Sequence, residues 1–180
     1  MGFETTSDES VLIVLDELFE LTRSRPQDAA ADRRFALDPD AARFLGWTVE
    51  QARSAPDSHY EEGIRRSARE WRERQRFALI IRRRSDGEAV GAVELRPCGG
   101  EQADVSYMVA ADVRGQGLAP KALEAMLAWG RRELGLRRAN LCCHVDNVAS
   151  QRVAEKCGFA FVGHQRTELH FRRDIHPPEA

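Results

Sequence analysis

This sequence predicts an α/β domain on one mixed sheet, and three observations carry that expectation. Short β-branched or apolar runs alternate with segments of helical apolar period along the chain. A glycine turn, Arg114-Gly-Gln-Gly-Leu-Ala119, joins a strand-like run to a long helix-like run. The 180 residues contain no repeat and no low-complexity linker, and at roughly 100–200 residues per domain that length makes one domain.

Val11 to Leu15 is β-branched, Asp16-Glu17 is turn-prone, and Leu18 to Arg23 can pair back onto the first run. Apolar residues at 11, 14, 15 and 18 also fit a helix. The hairpin is preferred because Ser24-Arg-Pro-Gln27 then opens a helix, with Ser24 as N-cap, Gln27 closing a capping box and Pro26 in the first turn. That helix runs to Leu37, Asp38-Pro39 breaks it, and Ala41 to Gly46 is a second short piece. Pro56 to Arg76 reads as a longer helix with Tyr60, Ile64, Ala68 and Trp71 on one stripe.

Phe77 to Arg84, Ala89 to Arg96 and Asp104 to Ala110 form an antiparallel meander, its first turn made by Ser85-Asp-Gly-Glu88. The helix after the glycine turn buries Ala122, Leu123, Met126, Leu127 and Leu134, and Gly135 ends it. Ala139 to Val145 is a strand, Val148 to Lys156 a helix, and Phe159 to Val162 and Arg166 to Arg172 are final strands. Residues 1–16 read as an N-terminal extension that includes a hairpin strand, 17–173 as the domain and 174–180 as a flexible tail.

With 42% hydrophobic residues the chain can build a core, which excludes wholesale disorder. A formal charge of −2 argues against a nucleic-acid binder that works by neutralising many phosphates. Val11 to Leu15 is too short to span a bilayer and no signal-like segment opens the chain, so no membrane role is expected and the location reads as cytoplasmic. Arginine supplies nearly all the positive charge, and its one local cluster, Arg72 to Arg84, reads either as a solvated face or as a docking site for anions. The four cysteines, Cys98, Cys142, Cys143 and Cys157, show no C-x-x-C pair and no His at ligand spacing. They read as buried, reduced thiols, and Cys142 and Cys143 point to opposite faces of a strand.

Two segments carry chemistry. The turn from Arg114 to Ala119 opens a helix, whose first N–H groups and dipole form an anion site that small residues let a pyrophosphate approach. It is neither a P-loop nor a G-x-G-x-x-G dinucleotide turn, and alone it reads equally as an ordinary connection. Asn147 reads as an N-cap or an amide reader, and Ser150 lies in the first turn of the same helix.

Together, Asp104-Val-Ser-Tyr-Met-Val109, Arg114-Gly-Gln-Gly-Leu-Ala119 and Asn147-Val-Ala-Ser-Gln-Arg152 with Gly158-Phe159 resemble the GNAT acetyltransferase superfamily, in particular its ribosomal-protein N-terminal acetyltransferase branch. Asp40-Ala-Ala-Arg-Phe-Leu-Gly-Trp47 is similar to a segment of that branch, and the likeness covers Leu18 to Gly163. It implies a twisted, mostly antiparallel sheet of six or seven strands flanked by about four helices. It also implies acetyl-CoA as co-substrate, no metal, and direct attack by an amine in a ternary complex. The pyrophosphate would sit on Arg114, Gly115, Gln116, Gly117, Leu118 and Ala119, and the pantetheine along Met108 and Val109 between splayed strands, with Asn147 nearby. A backbone N–H at about Met108 would stabilise the oxyanion.

Two departures matter. Pro120 removes one N–H donor from the turn, and Ala154 stands where many of these enzymes carry a tyrosine acid. The serine matching Ser150 would then serve the departing thiolate, and Asp104 matches the place of a glutamate base, with Glu94 and His144 as alternatives. Trp47, by resemblance, and the helix carrying Tyr60 and Trp71 would wall the acceptor side, although aromatics at helical spacing also read as core. The expected acceptor is a protein N-terminal α-amine. A small-molecule amine such as an antibiotic or polyamine, or a non-catalytic acyl-CoA-binding domain, are the alternatives. A homodimer is left open, and no specific nucleic acid is expected.

Overall fold

The computed structural model describes residues 11–175. In chain order these form β1 (Leu12–Val14), β2 (Phe19–Thr22), a 3-10 turn (Pro26–Asp28), α1 (Ala29–Ala36), α2 (Pro39–Leu45), α3 (Val49–Ser54) and α4 (Asp57–Arg72). There follow β3 (Phe77–Arg83), β4 (Ala89–Pro97), β5 (Gln102–Val109), a second 3-10 turn (Ala111–Val113), α5 (Leu118–Leu134), β6 (Arg138–His144), α6 (Val148–Lys156), β7 (Ala160–Gln165) and β8 (Glu168–Asp174). Among the described residues one sheet in the order β1-β2-β3-β4-β5-β6-β8-β7 collects all the strands, and only β5 and β6 run parallel.

The mixed α/β architecture is the expected one. Among the described residues it holds eight strands and six helices, more than the six or seven and about four expected. The hairpin reading of the N-terminus is the correct one: Ile13 pairs with Leu21. The unforeseen α3 is short, yet Thr48 and Gln51 cap each other through side chain and backbone at its start.

Three expectations change at the boundaries. The first helix is capped one residue later than Ser24 and Gln27 suggest: Asp28 Oδ2 accepts the Arg25 N–H at 2.7 Å, with Pro26 still in the first turn. The cause is tertiary, because Arg82, 2% exposed, grips the same carboxylate at 2.6 and 2.9 Å. Helix α4 stops at Arg72, since Gln75 and Arg76 both donate back to the Glu70 carbonyl and Arg74 takes φ 57°. At the other end, β8 runs through Asp174 and Ile175 is buried, so these two residues anchor where a loose tail is expected. Residues 1–10 of the extension and 176–180 of the tail lie outside the described residues.

Strand β3 is covered on both faces. Phe77 meets Trp129 of α5 and Trp71 of α4 with ring centroids 5.1–5.3 Å apart, while Arg82 on the alternate face meets Asp28. Trp71 is therefore core. Arginines of the basic cluster are turned inward or matched: Arg76 reaches Glu70 and Glu94, Arg83 reaches Asp86 and Glu88, and Arg84 reaches Glu20. Four of the six arginines of the cluster, Arg76, Arg82, Arg83 and Arg84, are thus matched by carboxylates of the chain itself.

The sheet opens at its parallel pair. Pairing of β5 with β6 runs from Gln102↔Arg138 to Val105↔Leu141 and stops, although both strands continue. On its other edge β5 stays in register with β4 as far as Gly91↔Val109. Gly91 is required there: a Cβ would stand 2.5 Å from the Met108 carbonyl oxygen.

Candidate active site

The gap between β5 and β6 is a cleft of about 570 Å³. Ser106, Tyr107, Met108 and Val109 form one wall and Cys142, Cys143 and His144 the other. Arg114, Gly115, Gly117, Leu118, Ala119 and Pro120 line the cleft from the start of α5, and Asn147, Ser150, Arg152 and Lys156 line it from α6 and its entry, with α6 packed against α5. Asp40, Ala41, Phe44 and Leu45 of α2 also line it. Ion pairs from Arg114 to Asp38 and Asp40, and from Arg43 to Asp146, hold α2 to both sides of the opening.

The turn has the geometry that an anion site needs. Gly115 and Gly117 have φ of 79° and 75°, a region that side chains other than glycine enter only at a cost of about 1–2 kcal/mol. Gly117 is the N-cap of the 17-residue α5 and offers no side-chain oxygen, so the first N–H groups of that helix face the cleft uncapped. Pro120, as expected, contributes none. The Arg114 guanidinium is committed elsewhere: besides the two aspartates, its Nε donates to the Val109 carbonyl at 3.0 Å. Gln116 is not part of the cleft lining and faces a second hollow with Asp112 and Arg83.

Ser150 is where the sequence places it. Asn147 Oδ1 accepts its N–H at 3.1 Å, so Asn147 acts as the N-cap of α6 while lining the cleft. The Ser150 hydroxyl lies 2.9 Å from the Tyr107 hydroxyl. Burial pushes the Tyr107 phenol well above its ordinary pKa, so it remains a protonated donor. Ala154 lies one turn beyond Ser150 and is completely buried, so no acid comes from that position of the helix.

Backbone direction moves the expected oxyanion donor. The Met108 carbonyl points at Gly91 of β4, whereas the Val109 carbonyl turns to the cleft side and accepts Arg114. Because N–H and C=O of one strand residue share a side, the N–H groups facing the gap belong to Tyr107 and Val109. The Met108 side chain still lines the cleft.

Asp104 is not brought into the cleft. It is exposed at the start of β5, where its Oδ1 accepts the Asn140 side-chain N–H at 3.1 Å. Glu94 is also absent from the lining, held by Ser106 at 2.6 Å and by Arg76. His144 does line the cleft, but its Nδ1 accepts the Asp146 N–H at 3.1 Å. Trp47 donates to the Ala36 carbonyl and Tyr60 to the Ala52 carbonyl, and neither reaches the lining. Cys98 and Cys142 are exposed, unlike the buried Cys143 and Cys157.

Sequence reasoning missed three residues here. Tyr107 lies inside the Asp104–Val109 segment, and nothing local to it shows that Ser150 of α6 stands opposite its hydroxyl. Arg152 and Lys156 line the cleft beside Ser150, and among the described residues neither has an ion-pair partner. Their i, i+4 spacing on the helix that Asn147 caps was the available signal.

Comparisons with known proteins agree with this geometry. A family model described as the acetyltransferase (GNAT) domain matches residues 19–160. Bacillus subtilis (strain 168) YdaF, named as a ribosomal N-acetyltransferase, is 29% identical over 87 residues, 47% of this chain and 48% of YdaF. The alignment thus spans about half the length of that relative. Among solved structures, the RimL ribosomal L7/L12 α-N-protein acetyltransferase in complex with coenzyme A superposes with a TM-score of 0.80 at 18% identity, covering 92% of this chain and 98% of that one. The microcin C7 self-immunity acetyltransferase MccE, in complex with acetyl-CoA and AMP, gives 0.77 at 16% identity over 89% of this chain and 94% of that one. At these identities the superpositions speak for the fold.

Proposed function

The chain belongs to the GNAT acetyltransferase family, and from that premise we propose that it transfers the acetyl group of acetyl-CoA to the α-amine of a protein N-terminus. One observation carries the reading: a single cleft connects the uncapped N-terminus of α5 to the Ser150–Tyr107 hydroxyl pair across the opened β5–β6 seam. The helix N–H groups suit the pyrophosphate, and Arg152 and Lys156 suit the remaining phosphate charge. The extended pantetheine suits the strand edges that have no ladder partner.

The chemistry is direct attack. The amine adds to the acetyl carbonyl, whose oxygen gains charge and is held by a cleft-facing backbone N–H of Tyr107 or Val109. Collapse expels the CoA thiolate towards Ser150. Either hydroxyl of the Tyr107–Ser150 pair can donate; with Tyr107 as the donor the serine proton is free to turn to sulfur, and Tyr107 then acts as a positioning residue from the strand.

The lining favours an α-amine over a lysine. Deprotonation at pH 7 costs about 1.4 kcal/mol for an amine of pKa near 8 and about 4.6 kcal/mol for a lysine near 10.4. A lysine therefore demands a committed base. Asp40 is the only carboxylate on the described lining and is bound to Arg114, and neutral His144 carries its proton on Nε2 because Nδ1 is occupied. Water is the proton acceptor that remains, which is adequate for an α-amine. The names of YdaF and RimL point the same way.

Thiol release from acetyl-CoA, measured with peptides bearing a free α-amine, the same peptides with that amine blocked and a lysine free, and a panel of polyamines and aminoglycosides, tests the reading. Turnover restricted to free α-amines is expected. Turnover with the small amines alone would make this a small-molecule acetyltransferase. CoA binding with no turnover on any acceptor would leave a binding domain.

A further inference from the structure

On the sheet face beside the cleft, β6 and β8 bring together three side chains far apart in sequence. Cys142 and His170 are a directly opposed cross-strand pair, and Glu168 is the diagonal neighbour on the same face. One ligand atom from each, the Cys142 Sγ, an imidazole nitrogen and a carboxylate oxygen, all lie within 4.8 Å of one another. The strands hold all three on rigid, paired backbone, so small side-chain rotations suffice to close the group to coordination distances of about 2.0–2.3 Å. A second observation comes from His170: its Nε2 is shielded from solvent and has no hydrogen-bond partner. A buried nitrogen without a partner carries a desolvation cost, which a ligand bound at Nε2 would offset. Burial, and then the Glu168 carboxylate that accepts from the thiol, push the Cys142 pKa up to about 11, so in the metal-free chain the two groups are a thiol and its acceptor, both of which can turn to a cation.

We propose that Cys142, Glu168 and His170 form a three-ligand site for a borderline divalent transition cation of the Zn²⁺ class, leaving one coordination position open to water. The donor set of one sulfur, one nitrogen and one oxygen selects this class over Ca²⁺ or Mg²⁺, which take oxygen ligands. On binding, Cys142 releases its thiol proton to solvent. Cys142 also lines the cleft, so the occupied site places a dication on the cleft wall and inhibits turnover. That consequence rests on the acetyltransferase reading; the binding itself does not.

The test is titration of the full chain with Co²⁺, read by thiolate-to-metal absorption, and with Zn²⁺, read by competition with a chromophoric chelator. One equivalent is expected to bind with a thiolate band. Cys142→Ser should abolish the band, and His170→Gln should weaken binding by more than about tenfold. Cys98→Ser should change neither readout. Thermal melting of each variant separates loss of binding from loss of fold. Absence of the band, or its survival in Cys142→Ser, would overturn the site. Zn²⁺ should lower acetyl transfer in the native chain and spare Cys142→Ser; inhibition equal in both would overturn the coupling to the cleft. A protein that binds one Co²⁺ through Cys142 yet acetylates nothing even without metal would keep the site and sink the acetyltransferase reading instead.

Discussion

The Tyr107 hydroxyl stands 2.9 Å from the Ser150 hydroxyl, so strand β5 and helix α6 meet through two oxygens at the cleft where the sheet has opened. If that pair serves the departing thiolate, the two residues act as a unit. Ser150→Ala should lower kcat by about 10²-fold with CoA affinity unchanged, the signature of a group that works in the transition state. Tyr107→Phe should lower kcat by about tenfold, and the double variant should be no slower than Ser150→Ala alone. Losses that multiply would show that the two hydroxyls act independently. Parallel losses in CoA affinity and rate would reduce Ser150 to part of the helix cap.

Gly117 separates folding from cofactor binding. A Cβ there meets nothing within 4 Å, so the cost of Gly117→Ala is the φ of 75° and not a clash within the chain. Melting should register a loss of about 1–2 kcal/mol. Gly117→Asp should be no less stable than Gly117→Ala, because a carboxylate suits a helix N-terminus. It should nevertheless weaken CoA binding by more than about 100-fold, since it occupies and charges the position that the pyrophosphate needs. Calorimetry showing CoA bound normally by Gly117→Asp would move the pyrophosphate off this turn.

The features legible in sequence are those set by local rules. The glycine turn, the N-cap at Asn147 and the apolar period of α5 depend on neighbours within a few residues, and each lies where expected. Features set by pairing between distant strands were not legible. The end of the β5–β6 ladder at Val105↔Leu141 decides which backbone N–H groups face the gap. Register, and not residue type, turns the Tyr107 and Val109 N–H groups to the gap in place of that of Met108 and leaves Asp104 at the outer end of the strand. In the same way Arg82 looked like part of a basic surface, because nothing local to it shows that Asp28 crosses the sheet layer to meet it.

The absence of a carboxylate poised in the described lining predicts the pH profile. Asp104→Asn and His144→Gln should each leave kcat within about threefold of the native value. The rate with an α-amine peptide should rise about tenfold per pH unit up to the amine pKa near 8 and then level. A plateau set by an enzyme group well below that pKa, removed by Asp104→Asn, would restore the aspartate as base through a closure that draws β5 and the acceptor together.

Asp32 predicts a pH-dependent stability whose sign is the reverse of the common carboxylate case. It lies in the first turn of α1, where burial, and then the neighbouring charge of Asp28, raise its pKa to about 6 against Arg76, which lowers it. The native state therefore binds the extra proton between about pH 4 and 6, and the unfolded chain does not. The contribution of this group to stability is most favourable at low pH and is lost as pH rises through 6, leaving a charged, poorly solvated carboxylate at neutrality. Asp32→Asn should remove that penalty and stabilise the protein by about 1–2 kcal/mol at pH 7. The gain should shrink through pH 6 and vanish near pH 4, where the native aspartic acid is already neutral. Denaturant unfolding of both proteins at pH 4 and pH 7 measures the difference directly. An equal gain at the two values would trace it to helix propensity or packing and not to the buried charge, because neither of those responds to a proton.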